Sequence, residues 1–227
     1  MLFMNPEKMN SRQVKNILYE QVARIGKAAS SPKRLELIEL LCQSEKNVEQ
    51  LATEAGISVK LASAHLSGLK SASLVNTRRE GKNIYYRLAD AHVASFWVAI
   101  RTLAEERLVD LQVALENLVA SPAKLSPVDR AELLKKAASG EVVVIDVRPE
   151  TEYAAGHLPF ARSIPLAELK KRIAELPMDK AIVAYCRGPF CLFATKAVAL
   201  LGSKGYRAIR LEDGVAEWRT LGFPIES

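Results

Sequence analysis

The chain has 227 residues, enough for one large domain or two of about 100 residues each. Its content of 49% hydrophobic and 26% charged residues is that of an ordinary globular protein, and no apolar run approaches the roughly 20 residues that span a bilayer. Three cysteines at uneven spacing exclude a disulfide framework, and a net charge of +6 permits nucleic-acid binding without demanding it. The 32 basic and 26 acidic residues divide equally between the two halves of the chain. Placement, not bulk charge, must therefore identify where a polyanion binds. Met1-Leu2-Phe3-Met4-Asn5-Pro6 lacks the charged-then-apolar layout of a secretory signal. With the cysteine usage, this predicts a cytoplasmic protein with no membrane partner.

Val14, Ile17, Leu18, Val22 and Ile25 recur at helical spacing and predict a first amphipathic helix. Ser30-Ser31-Pro32 restarts the chain with a capping residue and a proline at the first helical position, and Leu35, Ile38, Leu41 and Cys42 follow on one face. A short helix over 48–55 turns Val48, Leu51, Ala52 and Ala55 inward and stops at Gly56. Ser58 caps the next, over 59–71, with Ala62, Leu66 and Leu69 as its core stripe. Two short helices across a glycine-containing turn form a helix-turn-helix pattern. Strand-like runs at 74–79 and 84–88 follow, joined by Glu80-Gly81-Lys82-Asn83, and the hairpin tip carries Arg78, Arg79 and Lys82. A basic hairpin directly after a helix-turn-helix is a wing that reaches phosphates beside the groove.

The stretch 14–119 resembles the ArsR/SmtB family of winged-helix repressors. The resemblance rests on Val48-Glu49-Gln50-Leu51-Ala52, Ser63-Ala64-His65-Leu66-Ser67-Gly68-Leu69, Leu74-Val75 and Gly81-Lys82-Asn83-Ile84-Tyr85-Tyr86-Arg87-Leu88. It implies a repressor that binds double-stranded DNA as a homodimer, with paired recognition helices in successive major grooves. Ser58, Lys60, Ser63 and His65 then fall on or near the groove-facing surface, while Val59 and Ala64 stand where the family commonly has polar residues. Asp90 caps a last helix of about 30 residues, apolar on more than one side, whose stripe runs through Val93, Phe96, Trp97, Ile100, Leu103, Leu111, Leu115 and Leu118. In the family such a helix forms the dimer interface with the first helix. The family's metal-sensing cysteine pair falls on Asn47 and Glu49, and Asp90-x-His92 lacks a second histidine because Leu103 stands there. No metal or other cofactor is expected. Cys42 packs in the core and has no counterpart thiol on the last helix.

Ser121-Pro122-Ala123-Lys124-Leu125-Ser126-Pro127 marks a boundary, with Ser126, Pro127 and Asp129 capping a new helix over 128–138. Val142-Val143-Val144-Ile145-Asp146-Val147 is a continuous apolar run, the mark of a strand buried on both faces of a parallel sheet. Strand-like runs recur at 162–166, 181–185 and 206–211, with helical stretches at 169–176, 192–201 and 215–221. This alternation is α/β, and it places a site at the strands' carboxyl ends. Cys186 stands there, between a strand and a helix, in a turn where backbone N–H groups would hold an anion and lower the pKa of a thiol.

This half resembles the rhodanese sulfurtransferase domain. The residues that carry the likeness are Asp146-Val147-Arg148, Glu152-Tyr153, Gly156-His157-Leu158-Pro159, Ala161, Ile164-Pro165, Tyr185-Cys186-Arg187-Gly188 and Gly214-Val215-Ala216-Glu217-Trp218. It implies that Arg148 pairs with Glu152, that His157 fixes the following turn, and that Cys186 is the nucleophile, cradled by Arg187, Gly188, Pro189, Phe190 and Cys191. A related oxyanion-handling loop would need an arginine six positions after the cysteine, where Leu192 stands. Cys191 is either a resolving thiol or a small helix-start residue without a redox role.

The expected architecture is two domains: an α-rich winged-helix domain with a β-hairpin wing at 1–120, a linker at 121–127, and an α/β rhodanese-like parallel sheet at 128–227. The expected function is a DNA-binding regulator whose activity depends on a persulfide at Cys186, supplied by a sulfane-sulfur donor and drained by an acceptor thiol. The alternative is a working thiosulfate or persulfide sulfurtransferase whose DNA-binding domain regulates its own synthesis.

Overall fold

The computed structural model describes residues 10–119 and 130–227. The expected linker at 121–127 and the cap formed by Ser126, Pro127 and Asp129 lie outside the described residues. The chain divides into two compact units, residues 1–38 with 45–90 and residues 39–44 with 91–227. Among the described residues, no helix is long and apolar enough to cross a membrane.

In the first unit, capping sets the helix starts. Asn10 and Asn47 open α1 (Ser11–Ala29) and α3 (Val48–Glu54) by accepting the backbone N–H three residues on, while Gln13 and Gln50 reach back to the cap N–H. Pro32 starts α2 (Pro32–Gln43). Ser58 caps α4 (Val59–Ser71) by accepting from the Leu61 N–H at 3.2 Å. Ala62, Leu66 and Leu69 are fully buried, as their spacing predicts, and each leucine contributes about 2 kcal/mol by leaving water. The α1 stripe differs from the expectation of a buried face: Leu18 and Val22 are 61% and 70% exposed.

Three antiparallel strands, β1 (Lys46–Asn47), β2 (Val75–Glu80) and β3 (Asn83–Leu88), stand in the order β1-β3-β2. Pairing runs out to Glu80 and Asn83, so the hairpin turn shortens to Gly81 and Lys82. Gly81 takes φ 59°, which a glycine adopts without a Cβ clash.

In the second unit, the single long helix expected after Asp90 is two, α5 (Ala91–Arg107) and α6 (Val109–Val119). Leu108 donates to the Ala104 carbonyl while its own carbonyl accepts from Leu111 and Gln112, so one helix ends where the next begins. Val93, Trp97 and Arg101, four residues apart, are the buried positions of α5, whereas Leu103 is largely exposed.

The remaining elements are α7 (Arg130–Ala138), β4 (Val142–Asp146), α8 (Glu150–Ala154), β5 (Arg162–Ser163), α9 (Leu166–Arg172), β6 (Ala181–Tyr185), α10 (Phe193–Ser203), β7 (Ala208–Arg210) and α11 (Val215–Thr220). The four strands are parallel in the order β5-β4-β6-β7. Alternating residues of β4 and β6 fill two cores: Val143, Ile145, Ile182 and Ala184 pack with Leu169, Ala197 and Leu201 on one face. Val144, Val183 and Tyr185 pack with Leu133, Val215 and Trp218 on the other. Helices on both faces explain why these strands read as continuous apolar runs.

Candidate functional site

Tyr185 ends β6 fully buried; its hydroxyl donates to Asp146 Oδ2 at 2.6 Å and accepts from the Leu158 N–H at 3.1 Å. Asp146 also accepts from Arg148 Nη2 at 2.5 Å and Nε at 3.0 Å, and neither side chain has exposed surface. The Arg148–Glu152 pair expected from the sequence does not form. The Arg148 guanidinium folds back onto Asp146 two residues away, and Glu152 takes Arg187 of the next loop instead, Oε1 to Nη2 at 2.6 Å and Oε2 to Nε at 3.0 Å. His157 accordingly fixes its turn through backbone bonds to Glu226 and a ring stacked on Tyr153. These bonds hold the sheet's carboxyl end, from which the chain enters the loop 186–191.

The two thiols of that loop differ. Cys186 is 1% exposed and belongs to the apolar cluster of Ile145, Ala184 and Ala194. Its Sγ lies 3.3 Å from the Cys191 carbonyl oxygen and 3.9 Å from that of Gly188. Burial, followed by the hydrogen bond and charge of Cys191, holds the Cys186 thiol well above the usual range, against the pull of the Ala194 N–H and Arg210. Cys191 is half-buried just before α10, and its pKa is lowered to about 6. The neighbouring Cys186 side chain lowers it first, the backbone of Arg187 and of Phe193 and the Arg187 charge add to this, and burial opposes them. The backbone therefore lowers both thiols, through Ala194 at Cys186 and through Arg187 and Phe193 at Cys191, but at Cys186 the expected lowering is inverted. Desolvation is the reason: it disfavours whichever thiolate lies deeper.

The loop is held from several sides. From below, Arg210, itself 1% exposed, donates to the carbonyls of Pro189 at 2.7 Å and Gly188 at 3.4 Å. From α2, Gln43 Nε2 lies 3.4 Å from the Arg187 carbonyl, while its Oε1 accepts from Arg148 at 3.0 Å. From α5, Arg101 Nη1 pairs with Glu217 Oε1 of α11 at 2.6 Å, and Trp97 meets the Phe190 ring edge-on at 6.2 Å. Glu39 of α2 is held up to about 7, by burial first and by Cys191 next. Gln43, Arg101 and Arg210 carry no signal in a motif-based reading; the one hint is Arg101, a charged residue four positions after Trp97 on a helix face expected to be apolar.

The expected DNA-binding residues fall on the first unit. Ser58, Lys60 and Ser63 are exposed on α4 or at its cap, and His65 is half-buried. The Ser58 hydroxyl is engaged in capping. Arg78, Arg79 and Lys82 are exposed on the hairpin. Arg78 is already held by Glu80 and by Glu45 at 2.5 Å, and it lies over the Tyr85 ring at 4.6 Å. Arg79 donates to the Gly81 carbonyl at 3.2 Å.

A helix-turn-helix with a basic hairpin in one unit, and a parallel sheet presenting a cysteine loop in the other, define a winged-helix transcriptional regulator joined to an α/β domain. The bacterial arsR-family regulatory protein pattern matches residues 31–77, and the rhodanese-like domain pattern matches residues 129–221. The chain is 46% identical over 212 residues to the HTH-type transcriptional regulator Rv0324 of Mycobacterium tuberculosis, covering 93% of each chain. It is 32% identical over 103 residues to a sulfurtransferase of Allochromatium vinosum, covering 44% of this chain and 94% of that one. Among solved structures, it is similar to the homodimeric winged helix-turn-helix DNA-binding domain of Mb0332 from Mycobacterium bovis, at 43% identity and a TM-score of 0.41. That match covers 44% of this chain and 91% of the other. The chain belongs to the ArsR family of transcriptional regulators, with a rhodanese-like domain on its C-terminal side.

Proposed function

We propose that this regulator is a cytoplasmic homodimeric repressor whose affinity for double-stranded DNA is set by sulfane sulfur held at Cys186. The observation that carries the reading is the loop 186–191, where the buried Cys186, its Sγ 3.3 Å from the Cys191 carbonyl oxygen, stands beside a second thiol whose pKa is lowered to about 6. The step balances without a cofactor. Cys191 takes the proton of Cys186, and the freed Cys186 thiolate attacks the outer sulfur of a low-molecular-weight persulfide. The sulfur–sulfur bond of the donor breaks, its thiolate leaves with the proton from Cys191, and Cys186 becomes a persulfide. Thiosulfate would react in the same way and release sulfite. An acceptor thiol then removes the outer sulfur. Arg187, Gly188, Pro189 and Phe190 form the walls of the cradle.

On the DNA side, Lys60, Ser63 and His65 meet the groove with Ser58 at the helix start, and Arg79 and Lys82 meet phosphates, joined by Arg78 when it leaves its carboxylates. The working division is a DNA-binding and dimerisation domain at 1–120, a linker at 121–127 and a sulfur domain at 128–227. The open apolar stripe of α1 supports dimerisation. The test is a gel shift on the DNA upstream of the protein's own gene, with and without persulfide. Wild-type protein should change affinity on loading, and Cys186→Ser should bind DNA without responding; a fully responsive Cys186→Ser removes the proposal. Likeness to a sulfurtransferase favours the enzyme reading instead, which predicts rapid thiosulfate–cyanide turnover where the sensor predicts slow single loading.

A further inference from the structure

We infer that Arg101 is a positioning residue of the sulfur loop, supplied by α5 from outside the rhodanese-like stretch, and that it ties the state of the loop to the helix that follows the wing. The second half of this inference rests on the sulfur-sensing reading; the first stands on the geometry of the loop alone.

Of the four residues between the two cysteines, two are met by side chains that lie outside the stretch 129–221 matched as rhodanese-like. Gln43 reaches the Arg187 carbonyl. Phe190 is met by Trp97 and by the Arg101 guanidinium, the latter 5.9 Å from its ring. Gly188 is the tightest point. It has φ 140°, and a Cβ there would lie 3.3 Å from the Glu217 carboxylate and 3.4 Å from Arg101 Nη1. The ion pair therefore lies directly on the loop backbone.

A guanidinium that is only 3% exposed is costly to bury unless it is paired, and Arg101 answers to Glu217 at 2.6 Å and Glu105 at 3.1 Å. Glu217 in turn accepts the Gly214 N–H at 2.6 Å. Gly214 lies so close to the loop that a Cβ would sit 2.6 Å from the Arg187 carbonyl. The pair thus clamps the loop and the start of α11 together. A sulfur atom added to a thiol that is 1% exposed needs room. With Arg210 and the sheet core on the inner side, the loop yields outward, against Trp97 and the Arg101–Glu217 pair. Because α5 begins only three residues after β3 ends, displacement of this clamp is passed along the chain to the wing strand.

The test uses the full chain and three variants, Arg101→Lys, Arg101→Met and Arg101→Met with Glu217→Gln. The double variant removes both charges, so no unpaired carboxylate is left buried if Arg101→Met alone fails to fold. Alkylation of Cys186 and Cys191 by iodoacetamide is followed against pH by peptide mass spectrometry. Loss of the clamp should speed Cys186 alkylation by about tenfold and shift its pH profile, with Arg101→Lys returning towards wild type. After persulfide loading, confirmed by mass, the ratio of loaded to unloaded DNA affinity should fall towards one in the double variant. Wild-type alkylation rates and profile in that variant would overturn the positioning role. A wild-type DNA response there would overturn the tie to the wing. A wild-type protein that loads sulfur without any DNA response would instead sink the sensing reading and, with it, the second half of the inference, while the alkylation measurement still decides the first.

Discussion

At the scale of single residues, the loop separates two roles that one cysteine is often given. The Cys191 thiol is lowered to about 6 by Cys186, Arg187 and Phe193 beside it, and Cys186 sits deeper with its thiol held well above the usual range. With a folded-state pKa of about 6, Cys191 is ionised above that pH and becomes protonated and unreactive as the pH falls through it. Cys191→Ser should therefore lower total thiol alkylation at pH 7 by more than about tenfold, since Cys186 is left protonated, and the reactive phase with a midpoint near pH 6 should vanish. Undiminished total alkylation at pH 7 in that variant, now carried by Cys186, would contradict the assignment. The sequence displayed both cysteines and the six-residue loop. It did not display which thiol is ionised, because that follows from depth below the surface, a property set by Ala184, Ala194 and Ile145 from three different elements.

At the scale of elements, local signals translated well where one chemistry decided the outcome. The Ala62, Leu66 and Leu69 stripe, the apolar runs of β4 and β6, and the glycine in the wing turn all correspond to what forms. Elements decided by tertiary pairing were less legible. The break at Leu108 has no glycine or proline to mark it, and Arg148 chooses Asp146 over Glu152 because the strand end brings that carboxylate nearer. Arg101 was hidden for the same reason, a charge on an apolar face whose partner lies on α11, far along the chain. The wing gives the element-scale prediction. Since Arg78 is engaged by Glu45 and Glu80, the proposed phosphate contact of the wing rests first on Arg79 and Lys82. Arg79→Ala with Lys82→Ala should weaken binding to all DNA sequences alike and flatten the slope of log affinity against log salt by about two. A loss confined to one sequence, with the slope unchanged, would place these residues elsewhere.

At the scale of the whole molecule, an arsR-family regulator and a rhodanese-like domain share one chain, and the compact unit that holds the sulfur loop also contains the end of α2 and all of α5. On the proposed function, sulfur chemistry and DNA binding are linked states of one protein, and the strength of that link is a coupling free energy that both partners must feel equally. The most direct test titrates a low-molecular-weight persulfide into full-length protein, reading sulfur on Cys186 by intact mass and DNA affinity by fluorescence anisotropy in the same samples. The account predicts that affinity changes in proportion to the fraction of chains carrying one added sulfur at Cys186, and reverts when an acceptor thiol removes it. Stoichiometric sulfur on Cys186 with an unmoved affinity would contradict it.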